Sequence, residues 1–258
     1  MAQKKSAMMT RETQGEKIQK VLAQAGVSSR RGAENLIRQG LVRVNGTIID
    51  NPAIRVDPAK DVIECRGERL LYPSGKARGL ILYKITGYVT STSDPHNQKT
   101  VYDLLPKEER DKKWLYTGRL DRDTEGLLFF TDSGELVHRL THPSYKVKKQ
   151  YRVKVQGKPT AARLKLLVKG VRHQDRLMRM DRVQLMKTEA DSAVLKVELH
   201  QGEKHQVKIM LGKLGHEVLY LCRTRFGPLS LKGLKPGQSR RLTEAEMDAL
   251  IRGVLQQN

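Results

Sequence analysis

Apolar side chains at Ile18, Val21, Leu22 and Ala25 recur at the i, i+3, i+4, i+7 spacing that lines one face of a helix. Gly26 is expected to stop that helix. Ser28 or Ser29 then offers a hydroxyl to cap a second one, whose apolar positions are Ala33, Leu36 and Ile37. From Leu41 to Ile49 the chain reads as a hairpin, because Asn45-Gly46 accepts the positive φ angles of a type I′ turn. Val62 to Cys65 supplies a last strand. These elements make one compact unit over residues 15–71. Residues 72–79, from Tyr72 to Gly79, carry turn formers and charge without periodicity and read as a linker.

The longer region, 80–258, mixes both periods. Leu80 to Lys84 is strand-like, and Gly87 marks a turn before an expected strand over Tyr88 to Thr92. Val101 to Leu105 reads as a short helix, and Leu127 to Thr131, Tyr151 to Val155 and Ala193 to Leu199 as strands. A helix is expected over Gln206 to Leu214, stopped at Gly215. Thr243-Glu244-Ala245-Glu246 has the form of a capping box, opening a final helix with Leu250, Ile251 and Val254 on one face. Pattern alone therefore gives a mixed α/β protein of two domains, with no internal repeat.

Charge narrows the partners. Forty-nine Lys and Arg against twenty-eight Asp and Glu leave a net charge of +21, and the sequence pI is near 10.1. Such an excess favours polyanions, nucleic acid above all. No apolar stretch approaches the roughly 20 residues that span a bilayer, and no signal-peptide pattern is visible, so a cytoplasmic location without membrane partners is expected. Residues 1–14 are polar and basic and read as a flexible arm. Cys65 and Cys222 form no CxxC pair and read as small core residues in a reducing compartment. Lys17, Lys20, Arg30, Arg31, Arg38 and Arg43 decorate the first unit. Lys146, Lys148 and Lys149 form a second basic run suited to phosphate.

The most informative stretch is Gly118-Arg119-Leu120-Asp121-Arg122-Asp123-Thr124-Glu125-Gly126-Leu127-Leu128. It sets Asp121 in a glycine-bracketed loop between Arg119 and Arg122, and nearby positive charge favours an ionised carboxylate. That suits a nucleophile or base meeting a polyanion. The same loop, closed by Asp132, nearly fits an EF-hand calcium pattern. The fit fails physically: the closing acid is short, arginines sit within the cage, and the flanks read as strand. His200, His205, His216 and Cys222 match no zinc spacing, and Asp123 and Asp132 read as solvated loop carboxylates or turn-formers.

The loop resembles, nearly letter for letter, the signature of the RsuA/RluB-type ribosomal RNA pseudouridine synthases. Further stretches resemble that family's motifs in order. Gly87-Tyr88-Val89 through Lys99-Thr100-Val101-Tyr102-Asp103-Leu104-Leu105-Pro106 looks like the opening one, followed by Lys149-Gln150-Tyr151. Gly202-Glu203-Lys204-His205-Gln206-Val207-Lys208 comes next, and Arg223-Thr224-Arg225-Phe226-Gly227-Pro228-Leu229 resembles the closing segment. The first unit resembles the RNA-binding domain named after ribosomal small-subunit protein four, through Lys17 to Leu22, Ser28 to Arg31 and Gly40 to Gly46.

The resemblance implies an α+β protein: a small α+β RNA-binding domain, then a mixed, mainly antiparallel sheet catalytic domain with flanking helices. It implies isomerisation of uridine to pseudouridine in ribosomal RNA, free or in an assembly intermediate, by a monomer. Asp121 would be the catalytic carboxylate, Tyr151 the platform for the base and Lys208 the cation paired with Asp121. Lys208 stands where many members have arginine, and Ile209 and Leu211 depart from a common Arg and Phe. Lys17, Lys20, Arg30, Arg31, Arg38, Arg43, Arg119, Arg122, Lys149 and Arg223 would contact RNA. No metal and no cofactor is required, since the reaction has neither a redox step nor an activated phosphate. The carboxylate could attack C1′ or C6, or withdraw the C2′ proton, and the sequence does not choose. A tethered RNA-binding module would raise the local concentration of the catalytic domain on its substrate. The competing readings are a non-catalytic RNA-binding or ribosome-assembly protein and a synthase acting on transfer RNA.

Overall fold

The computed structural model describes residues 15–25, 27–58, 60–70, 77–96 and 98–255. The expected arm over 1–14, the helix-stopping Gly26 and linker residues 72–76 lie outside the described residues. The chain divides into two compact units, 1–76 and 77–258.

In the first unit, β1 (Glu16–Lys17) leads into α1 (Ile18–Gln24), and α2 (Arg30–Arg38) follows. Ser29 caps α2: its hydroxyl accepts from the Gly32 amide at 3.1 Å. Then come β2 (Val42–Val44), β3 (Thr47–Ile48), β4 (Arg55–Val56), β5 (Ile63–Cys65) and β6 (Glu68–Arg69). The four-stranded sheet runs β3-β2-β5-β6, and β1 pairs with β4. Asn45 (φ 50°) and Gly46 (φ 81°) make the hairpin turn as their chemistry dictates. Ile18, Val21, Leu22, Ala33, Ile37 and Val42 are fully buried in one core. Each large aliphatic among them contributes about 1.5–3 kcal/mol.

The second unit opens with β7 (Gly79–Lys84), α3 (Lys107–Arg110), β8 (Leu115–Thr117), β9 (Glu125–Thr131) and α4 (Gly134–Thr141). It continues through β10 (Lys149–Gln156), α5 (Ala161–Lys169), β11 (Val171–His173), β12 (Arg176–Met178), β13 (Arg182–Thr188) and β14 (Ser192–Leu199). Last come α6 (Gln206–Lys213), β15 (Val218–Phe226), β16 (Leu229–Ser230), β17 (Ser239–Arg241) and α7 (Glu244–Leu255). The central sheet runs β13-β14-β10-β15-β9-β7-β17, with β8 on β9 and β16 on β15. Every pair in it is antiparallel except β9 with β15.

Helices α5 and α6 bury Leu164, Leu167, Met210 and Leu211 against Val153, Val155, Leu195 and Val197 of the sheet. Strands β7 and β9 are covered on both faces. Ile81, Leu127 and Phe129 join one cluster, while Leu80, Leu82, Leu128 and Phe130 join another with Trp114. That double cover explains the unbroken apolar run from Leu127 to Phe130. Thr243 and Glu246 exchange the two capping-box bonds at the head of α7.

Two local features shape the loop that carries Asp121. Gly126 pairs with Arg223 at the parallel strand pairing, and any Cβ there would collide with the Arg223 backbone nitrogen and oxygen. Its φ of 118° is also closed to ordinary residues. The expected strand at Tyr88 to Thr92 is not formed; only Val89 bridges, to Thr100. Its neighbours spend their hydrogen bonds on the 118–124 loop instead. The Thr90 hydroxyl donates to the Leu120 carbonyl at 2.8 Å, and the Gly87 amide donates to the Arg122 carbonyl at 2.9 Å.

Candidate active site

The loop from Gly118 to Thr124 joins β8 to β9 and is fastened from beneath by Lys84, the last residue of β7. This lysine is fully buried. Its ammonium donates to the carbonyls of Asp121 (2.9 Å), Thr124 (2.8 Å), Ile85 (3.1 Å) and Arg122 (3.3 Å). Carbonyls that converge in a tight loop need a common donor, and a buried cation supplies one. Burial lowers its pKa to about 8, against the raising influence of Asp123, Asp121 and Glu125. No pattern in the sequence marks this role. The only signal is a lone charge ending an otherwise apolar run.

Fastened in this way, Asp121 presents a part-exposed carboxylate. His205 Nε2 lies 3.3 Å from Oδ1, and Lys208 Nζ lies 3.7 Å from Oδ2. Lys208 makes its short contact elsewhere, at 2.6 Å to Asp123 Oδ1. Lys208, expected to pair with Asp121, is thus shared between Asp121 and Asp123, and Asp123 is more than a solvated loop acid. The hydrogen bond from Lys208 holds Asp123 below the usual carboxylate range, although its side chain is largely exposed. The ammonium is a point charge without the planar fork of a guanidinium, and its shorter contact is to Asp123.

Tyr151 stands on β10 opposite Arg223 of β15 and Val197 of β14. Asp121, Tyr151, Arg119, Arg122, Lys149 and Arg223 all line one cavity of about 720 Å³. Arg119 and Arg122 are exposed at its loop side, open to a polyanion. The other two cations are less open. Lys149 is half-buried, donates to the His200 carbonyl at 2.9 Å and the Val147 carbonyl at 3.2 Å, and is lowered to about 8 by burial and then by Arg223.

Arg223, read from the sequence as an RNA contact, is 2% exposed. Its Nε donates to the Leu127 carbonyl at 2.8 Å, and its guanidinium lies over Phe226. Nη2 is buried and has no hydrogen-bond partner among the described residues. Burial pushes the Arg223 pKa down, while neighbouring Tyr151 opposes that. A side chain so enclosed lines the cavity but is not open to the solvent outside it.

The first unit carries its own cationic groove, of about 260 Å³, lined by Lys17, Lys20, Arg30 and Arg55 with Gly15, Glu16 and Gln19. Arg55 was not singled out by the sequence. It reaches the groove because β4 pairs with β1, and it donates to the Gly15 carbonyl at 2.7 Å. Lys20 is tied to Glu16 at 2.8 Å. Arg31, Arg38 and Arg43 are exposed but do not line this groove. Among the described residues, no helix is long and apolar enough to cross a membrane.

Comparison with known proteins places this geometry. The family described as RNA pseudouridylate synthase matches residues 79–213, and the S4 domain family matches residues 16–63. An uncharacterized RNA pseudouridine synthase of Aquifex aeolicus (strain VF5) is 37% identical over 239 residues, 92% of this chain and 94% of its own. The ribosomal large subunit pseudouridine synthase B of Bacillus subtilis (strain 168) is 35% identical over 237 residues, covering 91% of this chain and 95% of the relative. A relative of the same description from Vibrio cholerae is 37% identical over 224 residues, 84% of this chain and 68% of its own. A crystal structure of a pseudouridylate synthase superposes with a TM-score of 0.61 at 28% identity, covering 90% of this chain and 98% of that one. The sequence motifs, the sheet that carries them and these relatives agree: the chain belongs to the RNA pseudouridine synthases of the RsuA/RluB family, with an S4 domain ahead of the catalytic domain.

Proposed function

We propose that this enzyme isomerises a specific uridine of ribosomal RNA, with Asp121 as the reacting carboxylate, Tyr151 as the platform for the base and Lys208 as a supporting cation. The observation that carries the proposal is the convergence of Asp121 and Tyr151, from separate elements, on one cavity with cations at its rim and floor. The names of the Bacillus subtilis and Vibrio cholerae relatives support large-subunit RNA as the first substrate to try.

The chemistry follows from the atoms that must move. The N1–C1′ bond breaks, the uracil rotates in place, C5 bonds to C1′, the proton on C5 is lost to solvent, and N1 takes up a proton in exchange. Atoms and electrons balance without a cofactor. A base in a helix must first leave the stack, which needs a surface to receive it and cations to hold the flanking phosphates. Tyr151 offers the surface; Arg119 and Arg122 offer the charge. Electron density moves onto the uracil as the glycosidic bond breaks, and buried cations beside it act strongly because little water screens them. Arg223 and Lys149 are suited to that task.

Release of tritium from RNA labelled at uridine C5 reports the new carbon–carbon bond directly. Wild type is expected to release it from large-subunit RNA, and Asp121→Asn is expected to release none. Equal release by both proteins would remove Asp121 from the chemistry. Release from transfer RNA alone would redirect the substrate. Tight binding with no release from any RNA would make the protein a binder.

A further inference from the structure

We infer that His205 is a second positioning residue for the reacting carboxylate, holding Asp121 Oδ1 while Lys208 serves Oδ2. The inference rests on the reading of Asp121 as that carboxylate.

Two independent features of the backbone point to it. His205 has φ 55° and ψ 20°, the left-handed region. Residues other than glycine are uncommon there, and histidine, like asparagine and aspartate, is among those that enter it most often, still at some cost. His205 also occupies the N-cap of α6, where a side chain ordinarily accepts from the free amides of the first turn. Its ring makes no such bond. The position is therefore costly for the helix twice over: in backbone conformation and in a cap left unmade. Backbone held in such a conformation clusters at functional sites.

What the ring does instead is turn to Asp121, with Nε2 3.3 Å from Oδ1, at the wall of the cavity. The division of labour follows from Lys208. That ammonium lies 2.6 Å from Asp123 but 3.7 Å from Asp121. One shared point charge leaves the carboxylate free to swing about its χ2 axis. A second donor on the other oxygen removes that freedom. The pairing tightens to a hydrogen bond when RNA closes the cavity, as catalytic hydrogen bonds of this type do on substrate binding. The role requires Nε2 to carry the ring proton.

The test uses the full-length protein carrying His205→Gly, His205→Asn or Asp121→Asn. It compares melting temperature, RNA affinity and single-turnover tritium release at saturating enzyme. Glycine relieves the left-handed conformation and removes the ring. The His205→Gly protein should melt no lower than wild type and bind RNA equally well, yet release tritium at least about tenfold more slowly. Asparagine tolerates the same conformation and keeps a donor amide, so His205→Asn should recover part of that rate. A wild-type rate in His205→Gly, or a rate loss that tracks a lower melting temperature or weaker RNA binding, overturns the inference. If His205→Gly keeps its rate while Asp121→Asn is inactive, only His205 loses its role. Full activity in Asp121→Asn would remove both readings together.

Discussion

The two units spend the same residue types in opposite ways. In the first, Lys17, Arg30 and Arg55 line an open groove, and Arg31, Arg38 and Arg43 stand in solvent. In the second, Lys84 is sealed beneath the loop that carries Asp121, Arg223 is buried under the cavity, and Lys149 is half-buried in its wall. Exposed cations hold phosphates by long-range, salt-screened attraction and leave the fold indifferent to their removal. Buried cations are committed to named acceptors, so they fix geometry and act through a low dielectric. A count of charges sees one basic protein; burial separates two classes of cation.

Breaking the second unit should have the largest effects. Gly126→Ala places a methyl group against the Arg223 backbone where the parallel strands pair. The expected result is loss of the cooperative unfolding transition of the catalytic unit in calorimetry, with the first unit's transition retained. Lys84→Met follows. It strands the carbonyls of Asp121, Thr124, Arg122 and Ile85, at a cost of about 3 kcal/mol or more. Tritium release should fall at least about 100-fold as the loop loses its fastening.

Arg223→Lys sharpens the contrast, because it keeps the charge but loses the planar fork that reaches the Leu127 carbonyl. Turnover should fall roughly 10- to 100-fold with RNA affinity and its salt dependence unchanged. A weaker affinity with normal saturated turnover would return Arg223 to the phosphate-binding class. In the first unit the pattern should invert. Substituting Arg30, Arg31 and Arg55 together with alanine should weaken RNA binding. The slope of log affinity against log salt should drop by roughly 0.7–0.9 for each phosphate no longer neutralised. Saturated turnover should stay near wild type.

The smallest expected effect is on the pH dependence of stability. Burial lowers Lys84 and Lys149 to about 8 each, against about 10.4 in an unfolded chain. Between these values the unfolded state binds more protons than the folded one, so the contribution of these two groups to stability rises with pH across that window. Denaturant titrations from pH 8 to 10 should show this gain reduced in Lys84→Met.

Where periodicity was strong, the fold was legible in the residues themselves. Ile18, Val21 and Leu22 announced α1, Asn45-Gly46 announced its hairpin, and Thr243 with Glu246 announced α7. Strand β13 was not legible because it is an edge strand that exposes Leu185, Met186, Lys187 and Thr188, so burial imposes no alternation on it. Helix α5 buries only Leu164 and Leu167, too few for a clear stripe. Tyr88 to Thr92 misled because their β-rich composition serves hydrogen bonds to a loop instead of a ladder. At the site, the resemblance to the family's motifs pointed to Asp121 and Tyr151, which both line the cavity. It could not name Lys84 as the fastening, or separate Arg223 from the arginines in solvent. Those distinctions lie in burial, which depends on strands far apart in the chain.

The most direct test of the division between affinity and chemistry is to measure RNA affinity and single-turnover tritium release on one preparation of Asp121→Asn, using large-subunit RNA. Affinity should match wild type, and release should not rise above the enzyme-free background. Release at the wild-type rate, or affinity that falls in step with release, would contradict the account.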